Sequence, residues 1–209
     1  MKWVRMEALS KKINSCRKCT LGSIRTHAVV GCGSLDAEAM FIGEAPGYHE
    51  DQQGTPFVGR AGAILNRLLD HINLRKDDVY IANILKCRPP ENRNPQTDEV
   101  QKCTPYLNTQ IEIIQPRILI PLGNFSYQYL FSIYGLPINK ISKDHGKMFY
   151  KNTIMGRLMI LPMFHPAVAT YNPKKIDILM KDFENLKQHL RQTFTKQIGR
   201  IPCESHLND

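Results

Sequence analysis

The chain has 209 residues, enough for one ordinary domain and short for two, and 42% of them are hydrophobic, which supplies a core. Its 28 Lys and Arg against 19 Asp and Glu leave a formal charge of +9, a balance that suits a polyanionic partner such as nucleic acid or, more plainly, a solvated basic face. No apolar run approaches the roughly 20 residues of a membrane span, and Met1 to Glu7 carries charges where a signal peptide needs an apolar centre. A cytoplasmic protein is therefore expected, in which cysteines hold metal more readily than they form disulfides.

In chain order, residues 2 to 14 show a rough helical stripe (Trp3, Val4, Met6, Leu9, Ile13) that ends at a cysteine pair. Four compact apolar runs have the composition of buried strands: Ala39 to Ile42, Val79 to Ala82, Ile118 to Ile120 and Leu158 to Leu161. Helical patterns fall at about 61 to 73, 98 to 115, 124 to 134 and 174 to 195. Thr97 is the expected cap of the second, which opens with Asp98 and Glu99, and Pro116 marks its end. Strands alternating with helices predict an α/β protein, a three-layer α/β/α sandwich around a central, mainly parallel four-stranded sheet. One domain over 1 to 195 and a flexible tail over 196 to 209 are expected.

In such sheets ligands bind beyond the carboxyl ends of the strands. Those ends carry Gly43 and Glu44, Asn83 and, after the fourth strand, His165. Each has a plain alternative: a turn residue, a cap, a satisfied surface histidine. Their common topological position is what singles them out. Gly43-Glu44-Ala45-Pro46-Gly47 lacks the Gly-Lys-Ser/Thr ending of a phosphate loop.

Cys16 and Cys19 form a tight pair; Cys87 and Cys103 form a looser one with fifteen residues between them. Four thiolates suit a tetrahedral zinc or a [4Fe-4S] cluster, and spacing alone leaves both open, along with buried cysteines that hold nothing. The wide second spacing departs from a zinc ribbon. Cys32 and Cys203 are left over and read as incidental.

Together, Gly43 to Gly47, Phe57-Val58-Gly59, Asn83, His165-Pro166 and the four cysteines resemble the family 4 uracil-DNA glycosylases, from about Cys16 to about Pro173. The resemblance implies a uracil-DNA glycosylase-like fold and a monofunctional DNA repair enzyme that flips uracil from DNA, hydrolyses its N-glycosidic bond and leaves an abasic site. It implies a [4Fe-4S] cluster on Cys16, Cys19, Cys87 and Cys103, shaping a basic loop through Arg88 and Arg93. Gly43, Glu44, Ala45, Phe57, Asn83 and His165 are implied to bind uracil: Phe57 by stacking, Asn83 by pairing with O4 and N3–H, His165 by donating to O2 as negative charge develops. Related enzymes of another family have an aspartate where Ala45 stands, so Glu44 becomes the first candidate for the base, with Asp51 second, and the catalytic pair is Glu44 and His165. Glu50 is implied to exclude the thymine methyl.

Two departures stand out. Tyr171 replaces an arginine common in the family and is a candidate DNA contact, either wedged into the duplex or packed on the last helix. His145 occupies another arginine position. Expected partners are uracil-containing DNA, single- or double-stranded, and replication or repair proteins; the protein is expected to be a monomer. The competing class is a metal-stapled nucleic-acid-binding module without catalysis.

Overall fold

The computed structural model describes residues 1 to 154, 156 to 190, 200, 201 and 203. In order, the elements are α1 (Lys2–Asn14), α2 (Leu21–Ile24), β1 (Cys32–Ser34), β2 (Ala39–Gly43), α3 (Tyr48–Gln53), α4 (Arg60–His71) and β3 (Tyr80–Asn83). There follow α5 (Thr97–Ile114), β4 (Ile118–Pro121), α6 (Asn124–Ile133), α7 (Ile141–Asp144), β5 (Phe149–Thr153), β6 (Gly156–Ile160), α8 (Val168–Tyr171), α9 (Ile176–His189) and β7 (Arg200–Ile201).

The four predicted strands are β2, β3, β4 and β6, and they pair in parallel in the order β6-β4-β2-β3. Three further strands pair antiparallel at the edges: β5 on β6, β1 on β3 and β7 on β1. The sheet is therefore seven-stranded. The added strands are two to five residues long and polar or glycine-bearing, so they lack the apolar run that betrays a buried strand.

Residues alternate across the sheet with period two, which divides the core. Met40, Ile42, Tyr80, Ala82, Leu119 and Ile160 face α1, α5 and α6, whose Met6, Ile13, Leu107, Tyr127 and Phe131 complete that layer. Phe41, Ile81, Ile118, Ile120 and Leu161 face α4 and α9 with Leu65, Leu69, Leu179 and Phe183. Phe41 and Phe183 stack with centroids 5.7 Å apart. This is the expected three-layer sandwich.

The predicted cap of α5 moves by one residue. Gln96, not Thr97, precedes the first turn, and its backbone N–H donates to Glu99 (2.8 Å). Glu99 is the better acceptor because its longer side chain reaches back from the third helical position. The last helix ends at His189; the rest of the predicted segment, 191 to 195, lies outside the described residues, as does most of the expected 196 to 209 tail. Of that tail, Arg200 and Ile201 pair with β1, and Cys203 forms a disulfide with Cys32. These two cysteines thus hold each other, against the general preference for reduced thiols in the cell.

That bond joins residues 171 apart in sequence. In the loop-entropy view, closing so long a loop stabilises the fold by up to about 5 kcal/mol. Replacing Cys203 with Ser is expected to lower the unfolding midpoint in urea without reductant, and to make no further difference when reductant is present.

Candidate active site

The site begins with a register. In the parallel pair of β2 and β3, Gly43 stands opposite Asn83 at the carboxyl ends of both strands. The chain leaves β2 towards α4 on one face and leaves β3 towards α5 on the other, so a crevice opens between them. Beyond the strands, the Ile84 and Leu85 N–H groups donate to the Gly43 and Glu44 carbonyls (both 3.0 Å), extending the pairing through the loops.

Gly43 is glycine for lack of room. A Cβ there would lie 2.3 Å from Asn83 Oδ1 and 3.0 Å from the Phe57 ring. The Asn83 amide, the Phe57 ring and the β2 loop therefore converge on one point. Asn83 is only 3% exposed, and among the described residues its side-chain amide has no hydrogen-bond partner, whereas buried polar groups are normally paired. Such an amide is a waiting recognition group.

Phe57 is held by three devices. It adopts a left-handed backbone (φ 55°), its carbonyl accepts from Lys76 Nζ (2.7 Å), and Gly62 lets α4 approach that carbonyl so closely that a Cβ would overlap it. The turn that follows is fixed by Glu50. Glu50 Oε1 accepts from the Val58 and Gly59 N–H groups (both 3.0 Å), and Oε2 accepts from the Gly47 N–H (3.1 Å). Both oxygens are thus committed to backbone, and one carboxylate clamps the loop after β2 to the loop that carries Phe57.

His165 enters from the far side. The Met163 carbonyl accepts from the Gly123 N–H (2.9 Å) after β4, which places the imidazole against Gly123 and stacked on Phe57, with centroids 5.6 Å apart. The Ala167 N–H donates to Nδ1 (3.2 Å). Nδ1 is therefore the bare nitrogen and the hydrogen resides on Nε2. Burial pushes the imidazole down to about 4, only partly offset by the nearby Glu50 charge. At neutral pH His165 is a neutral Nε2–H donor.

The two carboxylates weighed as bases separate clearly. Asp51 is 4% exposed and both its oxygens accept from the Thr26 N–H (3.1 and 3.2 Å). It anchors the segment after α2 and has no oxygen turned to the crevice chemistry. Glu44 is half-buried, has no hydrogen bond or ion pair among the described residues, and burial raises its carboxyl above the usual range. Ala45 lies half-buried in the same loop.

Tyr171 ends α8, six residues past His165, and is 87% exposed. Packing against α9 is thereby overturned, and the ring stands exposed at the end of α8. Of the basic loop residues, Arg93 is taken by Glu99 (2.6 and 2.9 Å), while Arg88 donates to Asn92 and lies over the Tyr48 ring. His145 is bound to Asp182 (2.9 Å), which ties its loop to α9.

All four cysteines line one cavity at the other end of the β3 loop, together with Arg25, Lys86 and Tyr106. Among the described residues no three His, Cys, Asp or Glu side chains stand together as ligands of a single ion. One zinc needs its sulfurs about 2.3 Å from a common point; a four-iron cube offers each sulfur a separate corner and accepts a wider set. The surroundings fit such an anionic group. Arg25 Nη1 donates to Cys87 Sγ (2.9 Å), the Lys86 N–H donates to Cys103 Sγ (3.2 Å), and no acidic side chain lines the cavity. Burial pushes the Cys103 thiol up to about 11 and raises Cys87 as well, so these thiols become thiolates on binding metal.

Sequence reasoning passed over Arg25 and Lys86. Lys86 is 1% exposed, and its Nζ donates to the Asn83 carbonyl (2.8 Å) and to Gln110 Oε1 (2.6 Å). The only signal was its place before Cys87. A buried, unpartnered amide facing an aromatic wall, a neutral histidine and a lone carboxyl is the equipment of an enzyme that extracts a base.

The profile of the Uracil DNA glycosylase superfamily matches residues 30–194. The chain is 44% identical over 184 residues to the type-4 uracil-DNA glycosylase of Sulfurisphaera tokodaii, covering 88% of this chain and 84% of that one. It is 44% identical to the type-4 enzyme of Saccharolobus solfataricus (88% and 86% covered) and 41% identical to that of Archaeoglobus fulgidus (87% and 91%). The chain belongs to the type-4 uracil-DNA glycosylases.

Two outcomes follow from this geometry. Between about pH 4 and the ordinary histidine value near 6.5, the folded protein binds fewer protons at His165 than the unfolded chain does, so this group's contribution to stability rises with pH. The stability difference between the protein and its His165→Gln variant, from urea unfolding at several pH values, is expected to grow across that window. Glu50→Ala removes an acceptor from three amides and is expected to cost about 2 to 3 kcal/mol in the same assay.

Proposed function

We propose that the crevice between β2 and β3 takes a uracil flipped out of DNA and breaks its N-glycosidic bond. The observation that carries this is the buried Asn83 amide with no partner among the described residues, facing Phe57 across Gly43. Its Nδ2 donates to uracil O4 and its Oδ1 accepts from N3–H; cytosine presents the reverse pattern and leaves two buried groups mismatched. Phe57 stacks on the base, and the Gly43, Glu44 and Ala45 backbone lines it.

As the bond from C1′ to N1 breaks, its electron pair passes to the leaving uracil and spreads to O2. The neutral His165 Nε2–H donates to that oxygen. A water oxygen adds to C1′ and its proton passes to Glu44, whose raised basicity suits it to the task. Glu50 acts as a positioning residue: by fixing the Phe57 turn it keeps the pocket too narrow for the thymine methyl. Tyr171 enters the duplex where the nucleotide has left. The strand stays uncut and an abasic site remains, within base excision repair in the cytoplasm. Double- and single-stranded uracil-containing DNA are both substrates, the enzyme acts as a monomer, and replication or repair proteins are its further partners.

Cys16, Cys19, Cys87 and Cys103 would hold a [4Fe-4S] cluster, which supplies a structural crosslink between the amino-terminal segment and the loop after β3. The four thiols lining one cavity and the N–H donors on two of the sulfurs support this.

A single-turnover assay on a labelled duplex with one U:G pair, followed by alkali, tests the proposal. Cutting at uracil and none at a T:G control is expected. His165→Ala and Asn83→Ala should each slow the reaction roughly 100- to 1,000-fold while leaving affinity for uracil-free duplex near normal, because phosphate contacts carry that affinity. Binding with no cutting by cluster-loaded protein would leave only a nucleic-acid-binding module. The acidic limb of the rate should fall above the ordinary carboxylate range and disappear in Glu44→Gln; a limb that persists there would remove Glu44 as the base.

A further inference from the structure

Lys86 is the buried charge that the chemistry above does not use. Its ammonium has two neutral oxygen partners, the Asn83 carbonyl and Gln110 Oε1, and no carboxylate partner among the described residues. Gln110 is itself fully buried and locked in place: its Nε2 donates to the Val30 carbonyl (2.8 Å) and to Tyr80 Oη (3.1 Å). Isolating an ammonium in the interior is costly without a compensating anion. Lys86 lines the same cavity as Cys87 and Cys103, so an anion reaches its neighbourhood when those thiols are ionised on binding a metal or cluster.

The backbone of the same residue contacts the cage directly through its N–H on Cys103 Sγ, and Cys87 follows it in the chain. Within five residues, then, the segment from Asn83 to Cys87 is pinned twice: to the uracil-lining loop through Ile84 and Leu85, and to the cysteine cage through Lys86. The ammonium closes the circuit by returning to the Asn83 carbonyl.

We infer that Lys86 is a positioning residue that couples the four-cysteine cage to the base-reading amide of Asn83. The inference rests on the reading of Asn83 given above. The cage then orients the uracil reader, and does more than hold the fold together.

Lys86→Met, purified with its cluster, tests this by equilibrium binding of free uracil and of uracil-free duplex, with the absorbance near 400 nm as the measure of cluster content and Asn83→Ala run beside it. Lys86→Met is expected to keep cluster content and duplex affinity within about twofold of the parent while weakening free-uracil binding at least tenfold, with kcat/KM falling in parallel. Unchanged uracil affinity with only a lower unfolding temperature would overturn the proposal and make Lys86 a packing residue. If Asn83→Ala binds free uracil as well as the parent does, the reading of Asn83 itself fails, whatever Lys86 does. Should Lys86→Met not fold, Lys86→Arg serves: a planar guanidinium does not seat between the two oxygens as an ammonium does, so a cluster-loaded Arg variant is expected to bind uracil several-fold more weakly, and parent-like affinity would overturn the inference.

Discussion

The parallel pairing of β2 with β3 sets where every other group of the site must be. Because side chains alternate along a strand, a slip of one residue would turn Met40 and Ile42 to the α4 side and carry Gly43 away from Asn83. Close packing opposes that slip, since all five residues of β2 and all four of β3 are buried and the two layers fit different side chains. Packing thus fixes the register, and the register brings together Gly43 and the Asn83 amide. Recognition precision is inherited from the core and needs no separate source of rigidity.

Charge is handled differently at the two ends of the β3 loop. At the crevice, Glu50 satisfies three amides with one carboxylate, and the helix turn it caps is the same turn that anchors the β2 loop. At the cage, Arg25 and Lys86 bring positive charge to thiols that burial otherwise keeps protonated. Asp51 and Asp182 play quieter versions of the same role, each tying a surface segment, around Thr26 and His145, to a buried carboxylate.

The parallel centre of the sheet was legible because β2, β3, β4 and the Leu158 to Ile160 end of β6 are apolar runs buried on both faces. β1, β5 and β7 were not, since these short strands at the margins of the sheet are polar or glycine-bearing and offer no apolar run. Gly43, Phe57, Asn83 and His165 were legible as a set at strand ends, and the structure brings those four into contact range. Asp51 could not be separated from Glu44 in sequence: both are acids shortly after β2, and the burial of Asp51 in α3 against the Thr26 N–H is visible only in the structure. The pairing of Cys32 with Cys203 was illegible for a similar reason, because no local pattern spans 171 residues. Lys86 escaped notice because a lysine beside a cysteine reads as surface charge until its burial is known.

The protonation state of His165 connects these points to catalysis. On the proposed reading, an imidazolium would also favour the leaving anion, but burial in this pocket disfavours the charged form, and the Nε2–H is left to donate to O2 as charge develops there. The Ala167 N–H selects this tautomer by donating to Nδ1, and burial against Phe57 and Gly123 outweighs the pull of the Glu50 carboxylate towards the charged form. The carboxylate can stand so near because its two oxygens are already occupied by Gly47, Val58 and Gly59 amides, whose dipoles spread its charge away from the ring. Burial is thus what keeps the histidine uncharged, against the carboxylate of the clamp that shapes the pocket.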